Sequence, residues 1–406
     1  MSAVVVHGIG ALCTCDPLVG DAPGVVRDAA LVARDGVIVY AGPESGLDRS
    51  GVPRGALEVH ARGAAVLPGF VDAHTHIVWL GDRGDEYAQR AAGATYEEIA
   101  ATGGGIRATV RATAAGSVDE LATAGRERAR RMLAGGTTTV EVKSGYGLEY
   151  EAEMRQLDAA DRLRQWVDLP DVVATYLPLH APPEGQRDAF IKDVCTRGVT
   201  GAAKRARFVD AFCETGAYTV AECERLFTAG RAHGLRPKIH AEQRSHSGGA
   251  LLAARAGAVS ADHLEHASNT DLEALGGAGV VGVILPGASM VLGGPPPPGR
   301  RLLEAGCVIA VATDCNPGTC YSESMPLMIS LAVALAGLTP AQALVAATTG
   351  GAAALGLADR GMLRPGLRCD AVILNTPGWV DVAYHLGGDI VASVMLEGRL
   401  AVPSKV

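Results

Sequence analysis

The 406-residue sequence contains no stretch of about 18 uninterrupted apolar residues, so no membrane-spanning helix is expected. Its most apolar segment, Met325 to Leu338, is too short. The first ten residues, MSAVVVHGIG, lack a basic region and a long apolar core, and no signal peptide is expected. No run of lysine and arginine reads as a nucleic-acid or membrane patch. With a formal net charge of −8, the chain has no electrostatic reason to seek nucleic acid or a membrane surface. Nine cysteines are scattered without a CxxC motif. That pattern points to reduced thiols in the cytoplasm, most of them serving as small buried hydrophobes. Short-period repeats and low-complexity segments are also missing.

What is present reads as a folded globular chain. Hydrophobic residues make up 48% and charged residues 20%. The length suffices for one barrel plus a smaller domain. From about residue 66 to 350, apolar β-like runs alternate with helical segments. Eight such runs can be marked: Ala65–His76, Thr137–Val142, Asp171–His180, Ala206–Cys213, Arg236–Ala241, Ala258–His263, Gly279–Leu285 and Cys307–Asp314. Their near-continuous apolar character fits parallel strands covered on both faces. Capping-box signals at Ser117–Glu120 and Thr219–Glu222 start two helices, and Thr339-Pro340 starts a third. Gly135-Gly136 and Gly234 mark helix ends. The pattern predicts a (β/α)₈ TIM-type barrel, with a doubly wound open sheet as the alternative. Residues 1–62 and 366–406 hold short β runs with turns at Asp35-Gly36 and Glu397-Gly398. Together they are expected to form one small β-sandwich from both termini, leaving 63–365 as the barrel.

The chemistry concentrates at the ends of the strand-like runs. In His74-Thr-His76, residues i and i+2 of a strand face the same way, so two imidazoles enter one space. His240 ends the fifth run, His263 the sixth and Asp314 the eighth. A barrel gathers such ends around one mouth, where barrel active sites form. His74, His76, His240 and Asp314 would then offer three nitrogens and one oxygen to a divalent ion, a set that suits zinc and also accepts iron.

The run Leu67-Pro-Gly-Phe-Val-Asp-Ala-His74-Thr-His76 resembles the first-strand signature of the amidohydrolase superfamily. That resemblance implies HxH on strand one, His on strands five and six, and Asp on strand eight. Many members also carry a carboxylated lysine on strand four that bridges two metals. The run Ala206–Cys213 has no lysine, so one metal ion per subunit is implied. Further runs resemble the imidazolonepropionase family: Gly81-Asp-Arg83, Thr102–Ile106, Glu141–Leu148 with its KSGYGL core, His180-Ala-Pro-Pro, His240–Gln243, Ser260–His263 and Ala312–Thr319. They follow one another in order from residue 67 to 319.

This resemblance implies hydrolysis of the ring C–N bond of a five-membered cyclic amide bearing a propionate tail. Asp314 is implied as proton carrier. His263 is implied to orient water or polarise the carbonyl. Arg83 is implied to pair with the propionate, since a guanidinium matches a carboxylate bidentately. Tyr146 and His180 are implied ring or tail contacts. Asn316, Gly318 and Thr319 are implied to offer an amide, a backbone N–H and a hydroxyl. Where some relatives carry Glu, this chain has Gln243, which can hydrogen-bond but cannot shuttle a proton. Glu242, its neighbour, is expected to point away. Ala114 stands where an arginine is common, and Pro178-Leu179 replaces Gly-Ala before His180.

A hydantoin or thio-substituted ring, or an aromatic base that is deaminated, stays open as the substrate. A non-catalytic barrel is disfavoured because all four metal ligands are present. The expected partner is a small-molecule substrate, and the expected assembly is a homodimer. The Met325–Leu338 segment reads either as an inner barrel helix or as a dimer face.

Overall fold

The computed structural model describes residues 2–94, 98, 103–183 and 185–402. Thr102, which opens the Thr102–Ile106 run, lies outside the described residues.

Eight parallel strands form the barrel: β6 (Phe70–Asp72), β7 (Thr137–Lys143), β8 (Asp171–Leu179), β9 (Phe208–Cys213), β11 (Ile239–Ala241), β12 (Ser260–His263), β13 (Val281–Ile284) and β14 (Ile309–Val311). They neighbour one another in that order, and a short β10 (Arg236–Pro237) adds to β9. All eight expected strands exist, although several are shorter than the apolar runs that announce them. The capping boxes at Ser117, Thr219 and Thr339 form as expected. A fourth forms at Ser268, with Asp271 in the place usually taken by Glu.

Closure of the barrel also builds part of the site. Thr75 and Cys315 form a parallel bridge between the extensions of β6 and β14. His76 N–H donates to the Cys315 carbonyl at 3.0 Å, and Asp314 N–H to the His74 carbonyl at 3.0 Å. Beneath them, buried Asp72 accepts both the Thr313 N–H at 3.1 Å and the Thr313 hydroxyl at 2.6 Å. The backbone ladder that shuts the barrel therefore sets Asp314 beside the two histidines of strand one.

The termini share a second, mixed sheet. It contains β1 (Ala3–Cys13), β2 (Val25–Arg34), β3 (Val37–Pro43), β4 (Leu57–His60), β5 (Ala65–Pro68), β15 (Ala371–Leu374), β16 (Val391–Leu396) and β17 (Arg399–Val402). Its own apolar core includes Val6, Ile9, Leu12, Leu31, Ile38, Val66, Ile373 and Met395. The two ends of the chain meet where Val66 pairs with Ile373, giving the small sandwich expected from both termini.

One expectation needs correcting. The run Ala65–His76 is two strands, since β5 joins the terminal sheet and only β6 enters the barrel. The terminal sheet thus reaches past residue 62, into the stretch expected to be barrel. Pro68-Gly69 explains the break. Proline has no ladder N–H to offer. A Cβ on Gly69 would collide with the Thr138 side chain where the chain crosses between the sheets.

The Met325–Ala336 helix buries Met325, Met328, Ile329, Leu331 and Ala332, and packs as an inner element. No described helix is long and apolar enough to cross a membrane.

Candidate active site

His74 and His76 follow β6, His180 follows β8, His240 lies in β11, His263 ends β12, and Asp314 lies just beyond β14. All sit at the C-terminal mouth of the barrel, as barrel active sites do. The chain must swing away sharply where these strands end. His263 has φ 82°, Glu242 φ 54° and Asp314 φ 50°, in the left-handed region that costs a non-glycine residue about 1 kcal/mol or more. Cross-strand hydrogen bonds hold the turns, including Leu264 N–H to the Ala241 carbonyl at 3.0 Å and His266 N–H to the Glu242 carbonyl at 2.8 Å.

One nitrogen each of His74, His76 and His240 lies within 4.8 Å of the other two, and all three residues are buried. Asp314 Oδ1 stands 3.5 Å from His74 Nε2 and 3.7 Å from His76 Nε2. The imidazoles are held from behind. His74 Nδ1 lies 2.6 Å from Asp262 Oδ2, and His240 Nδ1 lies 3.1 Å from Asp210 Oδ2. A carboxylate only accepts, so both histidines carry their proton on Nδ1 and present a bare Nε2 lone pair. Those two Nε2 atoms have no hydrogen-bond partner among the described residues although they are buried. A buried acceptor pair left unsatisfied beside a carboxylate oxygen is the arrangement a divalent cation fills. Burial, the largest cause, pushes the pKa values of His74, His76 and His240 well below the ordinary histidine range, so the rings are neutral, as ligands must be.

Below the imidazoles lies a charged layer absent from the expected site. Lys143 Nζ is 2.7 Å from Asp210 Oδ2, 3.0 Å from Glu141 Oε2 and 3.4 Å from Asp262 Oδ2. Lys238 Nζ is 2.8 Å from Glu141 Oε1 and donates to the Ala73 carbonyl at 3.0 Å. All five side chains are fully buried. Burial drags the Lys143 pKa down, but Asp210, Glu141 and Asp262 outweigh it and leave it raised, so the ammonium stays charged. His74, Glu141 and Asp262 form a second cluster of ligand-type atoms, and there the Lys143 ammonium already supplies the positive charge. The signal for this layer was available. A charged residue inside a fully buried apolar strand, such as Asp210 in Phe208–Cys213 or Lys238 before Ile239, is rare without a partner.

A cavity of about 860 Å³ opens above the imidazoles. Its wall includes His76, Arg83, Tyr146, His180, His240, Gln243, His263, Asp314, Asn316, Gly318 and Thr319, so every expected substrate contact faces one space. It also includes Arg90, Phe212 and Arg244, which the sequence reading missed. Arg83 Nε donates to Glu86 Oε2 at 2.8 Å, and Glu86 in turn accepts the Gly105 N–H. His180 stacks on His76 with ring centres 5.1 Å apart and planes 12° from parallel. Its Nδ1 lies 2.9 Å from the Gly145 carbonyl, which fixes the proton there. Burial lowers the His180 pKa to about 4. The buried Tyr146 ring lies 5.3 Å from His180.

The loop after Asp314 is tied to itself. The Asn316 amide donates to the Asp314 carbonyl and to Thr319 Oγ1, and its oxygen accepts the N–H groups of Gly318 and Thr319. Its hydrogen-bonding capacity is used up inside the loop, leaving no amide for a ligand. Thr319 Oγ1 donates to Asp314 Oδ2 at 3.2 Å. Glu242 points away from the cavity, as expected: its carboxylate accepts the N–H groups of Ser247 and Ala250 at the start of the next helix. His263 Nδ1 faces Glu265 Oε2 at 3.8 Å. Burial lowers the His263 pKa, and Glu265, Asp314 and Asp262 together more than offset it and leave it raised.

Comparison with known proteins agrees with this geometry. Residues 65–401 match the Amidohydrolase family. The chain is 45% identical to imidazolonepropionase of Deinococcus radiodurans, covering 98% of this chain and 99% of that protein. It is 46% identical to imidazolonepropionase of Symbiobacterium thermophilum, over 93% and 91% of the two chains. Among solved structures, a zinc-bound adenosine deaminase from Xanthomonas campestris superposes with TM-score 0.77 at 20% identity, covering 100% of this chain and 94% of that one. Ochratoxinase from A. niger gives 0.73 at 17%, covering 100% and 96%. Those two likenesses concern the fold alone. The full-length identity decides the matter: the chain belongs to the imidazolonepropionase family of the amidohydrolases.

Proposed function

We infer that the chain hydrolyses the ring amide C–N bond of 4-imidazolone-5-propanoate to N-formimino-L-glutamate, a step of histidine degradation. Full-length kinship with imidazolonepropionases supports the reaction. The carrying observation is that Arg83 and the neutral imidazoles of His76 and His240 line one cavity. One end suits a ring carbonyl and the other a carboxylate tail.

We assign His74, His76, His240 and Asp314 to one divalent metal ion per subunit, zinc or iron, since a set of three nitrogens and one oxygen accepts both. When bound, such an ion supplies Lewis acidity and lowers the pKa of a water molecule to about 7. Asp314 is placed to take a proton and return it to the leaving nitrogen. Burial pushes its carboxyl up to about 6, near the working range of an acid–base group. His263 polarises the carbonyl oxygen or orients the water. Gln243 hydrogen-bonds in the cavity without carrying a proton.

Arg83 pairs with the propionate, and its Glu86 partner holds the guanidinium plane. Tyr146 contacts ring or tail, and His180 offers its bare Nε2 to a ring N–H. Asn316, Gly318 and Thr319 contribute by shaping the wall and steadying Asp314. The chain is further proposed to work as a homodimer in the cytoplasm, where its nine free cysteines suit a reducing environment.

The test is to give freshly made imidazolone propionate to the metal-loaded protein and detect formimino-glutamate. No turnover would move the substrate to another cyclic amide.

A further inference from the structure

We propose that Lys143 is a positioning residue that fixes two metal-facing imidazoles at once, acting through Asp210 and Asp262. The proposal rests on the reading that these imidazoles hold a cation.

The argument is geometric. In Asp262, Oδ2 faces both His74 Nδ1 and the Lys143 ammonium, while Oδ1 accepts the Ser260 hydroxyl at 2.5 Å. In Asp210, Oδ2 lies 3.1 Å from His240 Nδ1 and 2.7 Å from Lys143 Nζ, while Oδ1 lies 3.2 Å from the same Nδ1 and accepts the Ala211 N–H at 2.7 Å. In both carboxylates the ammonium pins an oxygen that faces an imidazole, and in Asp210 the imidazole spans both oxygens. Each Oδ1 is also tied to its own strand, so neither group is free to rotate. One ammonium, carried at the end of β7, therefore couples the rings on strands one and five. Without it, Asp210, Asp262 and Glu141 would be buried together against Lys238 alone. Their repulsion in a water-excluded layer would swing the carboxylates apart. The Nδ1 protons would lose fixed acceptors, and the Nε2 lone pairs their shared aim.

A purely charge-balancing role predicts something different. Glu141 is as deeply buried and pairs with both lysines, yet no imidazole nitrogen among the described residues hydrogen-bonds to it. Glu141→Gln should cost stability and leave metal affinity near wild type. Lys143→Met/Glu141→Gln keeps the layer's net charge and removes the pin. It should fold and bind Zn²⁺ about 10- to 100-fold more weakly than Glu141→Gln. The visible absorption of its Co²⁺-loaded form should also be altered. Unchanged affinity and an unchanged Co²⁺ band would overturn the role of Lys143. Wild-type protein that takes up no Zn²⁺ would instead sink the metal reading beneath it.

Should the double variant not fold, the metal-free wild type still answers. Nitrogen-15 NMR should show His74 and His240 both protonated at Nδ1, with each of those protons close to the Lys143 side chain. An Nε2-protonated form of either ring would overturn the proposal.

Discussion

Gly318 carries no side chain because the guanidinium of Arg83 occupies the space where its Cβ would sit. The loop that steadies Asp314 thus also forms the seat for the cavity's arginine. Asn316 holds that seat in shape by accepting the Gly318 N–H. Gly318→Ala should displace the tip of Arg83 without unfolding the chain, because a long side chain yields more easily than backbone. KM should rise while kcat changes little. Arg83→Ala should act the same way and more strongly, about 10- to 100-fold in KM for a lost charge-assisted contact. Steady-state kinetics on both variants check this. A fall in kcat with an unchanged KM would contradict the assignment.

Asp314 is assigned two tasks, ligand and proton carrier. Asp314→Ala should abolish turnover and lower the metal content together. Asp314→Asn can still offer an oxygen but cannot take the proton, so it should lose turnover while keeping more metal. Elemental analysis beside single-turnover assays separates the two tasks. A near-normal rate in Asp314→Ala would refute the proton carrier.

Removing the metal tests the site as a whole. A ligand that binds only the folded state stabilises it by RT ln(1 + c/Kd), where c is the free ligand concentration. Chelator-treated protein should therefore melt at a lower temperature and lose turnover, with both restored by Zn²⁺ or Fe²⁺. The ion that restores the larger kcat identifies the working metal. Equal melting temperatures with and without metal would mean that the imidazole cluster is structural.

Gln243 faces the cavity and has no proton to give. Gln243→Glu should retain turnover and add an acidic limb to the pH–rate profile, reporting the new carboxyl group. Gln243→Ala should lower kcat without shifting that profile. A pH profile for Gln243→Glu identical to wild type would show that position 243 does not reach the reacting atoms.

Away from the site, Glu222 receives Thr219 N–H and hydroxyl bonds and the Arg187 guanidinium. The Arg187 hydrogen bond, the largest cause, pulls its pKa down to about 2. A depressed folded-state pKa contributes stability above the unfolded value of about 4.3, and that stability is lost as the pH falls from there toward about 2. Glu222→Gln should lower stability at pH 7 by about 1 kcal/mol and flatten its decline across that acid window. Urea midpoints at pH 7 and pH 3 would show it. An equal loss at both values would contradict the linkage.

The sequence by itself determined the barrel and which side chains gather at its mouth. Apolar runs alternating with capped helices leave few packings, and HxH in a strand must aim two rings one way. It could not divide Ala65–His76, because the two halves are equally apolar and only pairing partners separate β5 from β6. Nor could it tell that Asn316 is saturated within its own loop. Charges inside apolar strands signalled that Lys143, Lys238, Glu141, Asp210 and Asp262 need partners, but tertiary structure decided how they pair. Those residues come from strands far apart in the chain. Which carboxylate meets which imidazole depends on how adjacent strands register around a closed ring, a relationship that no single segment contains.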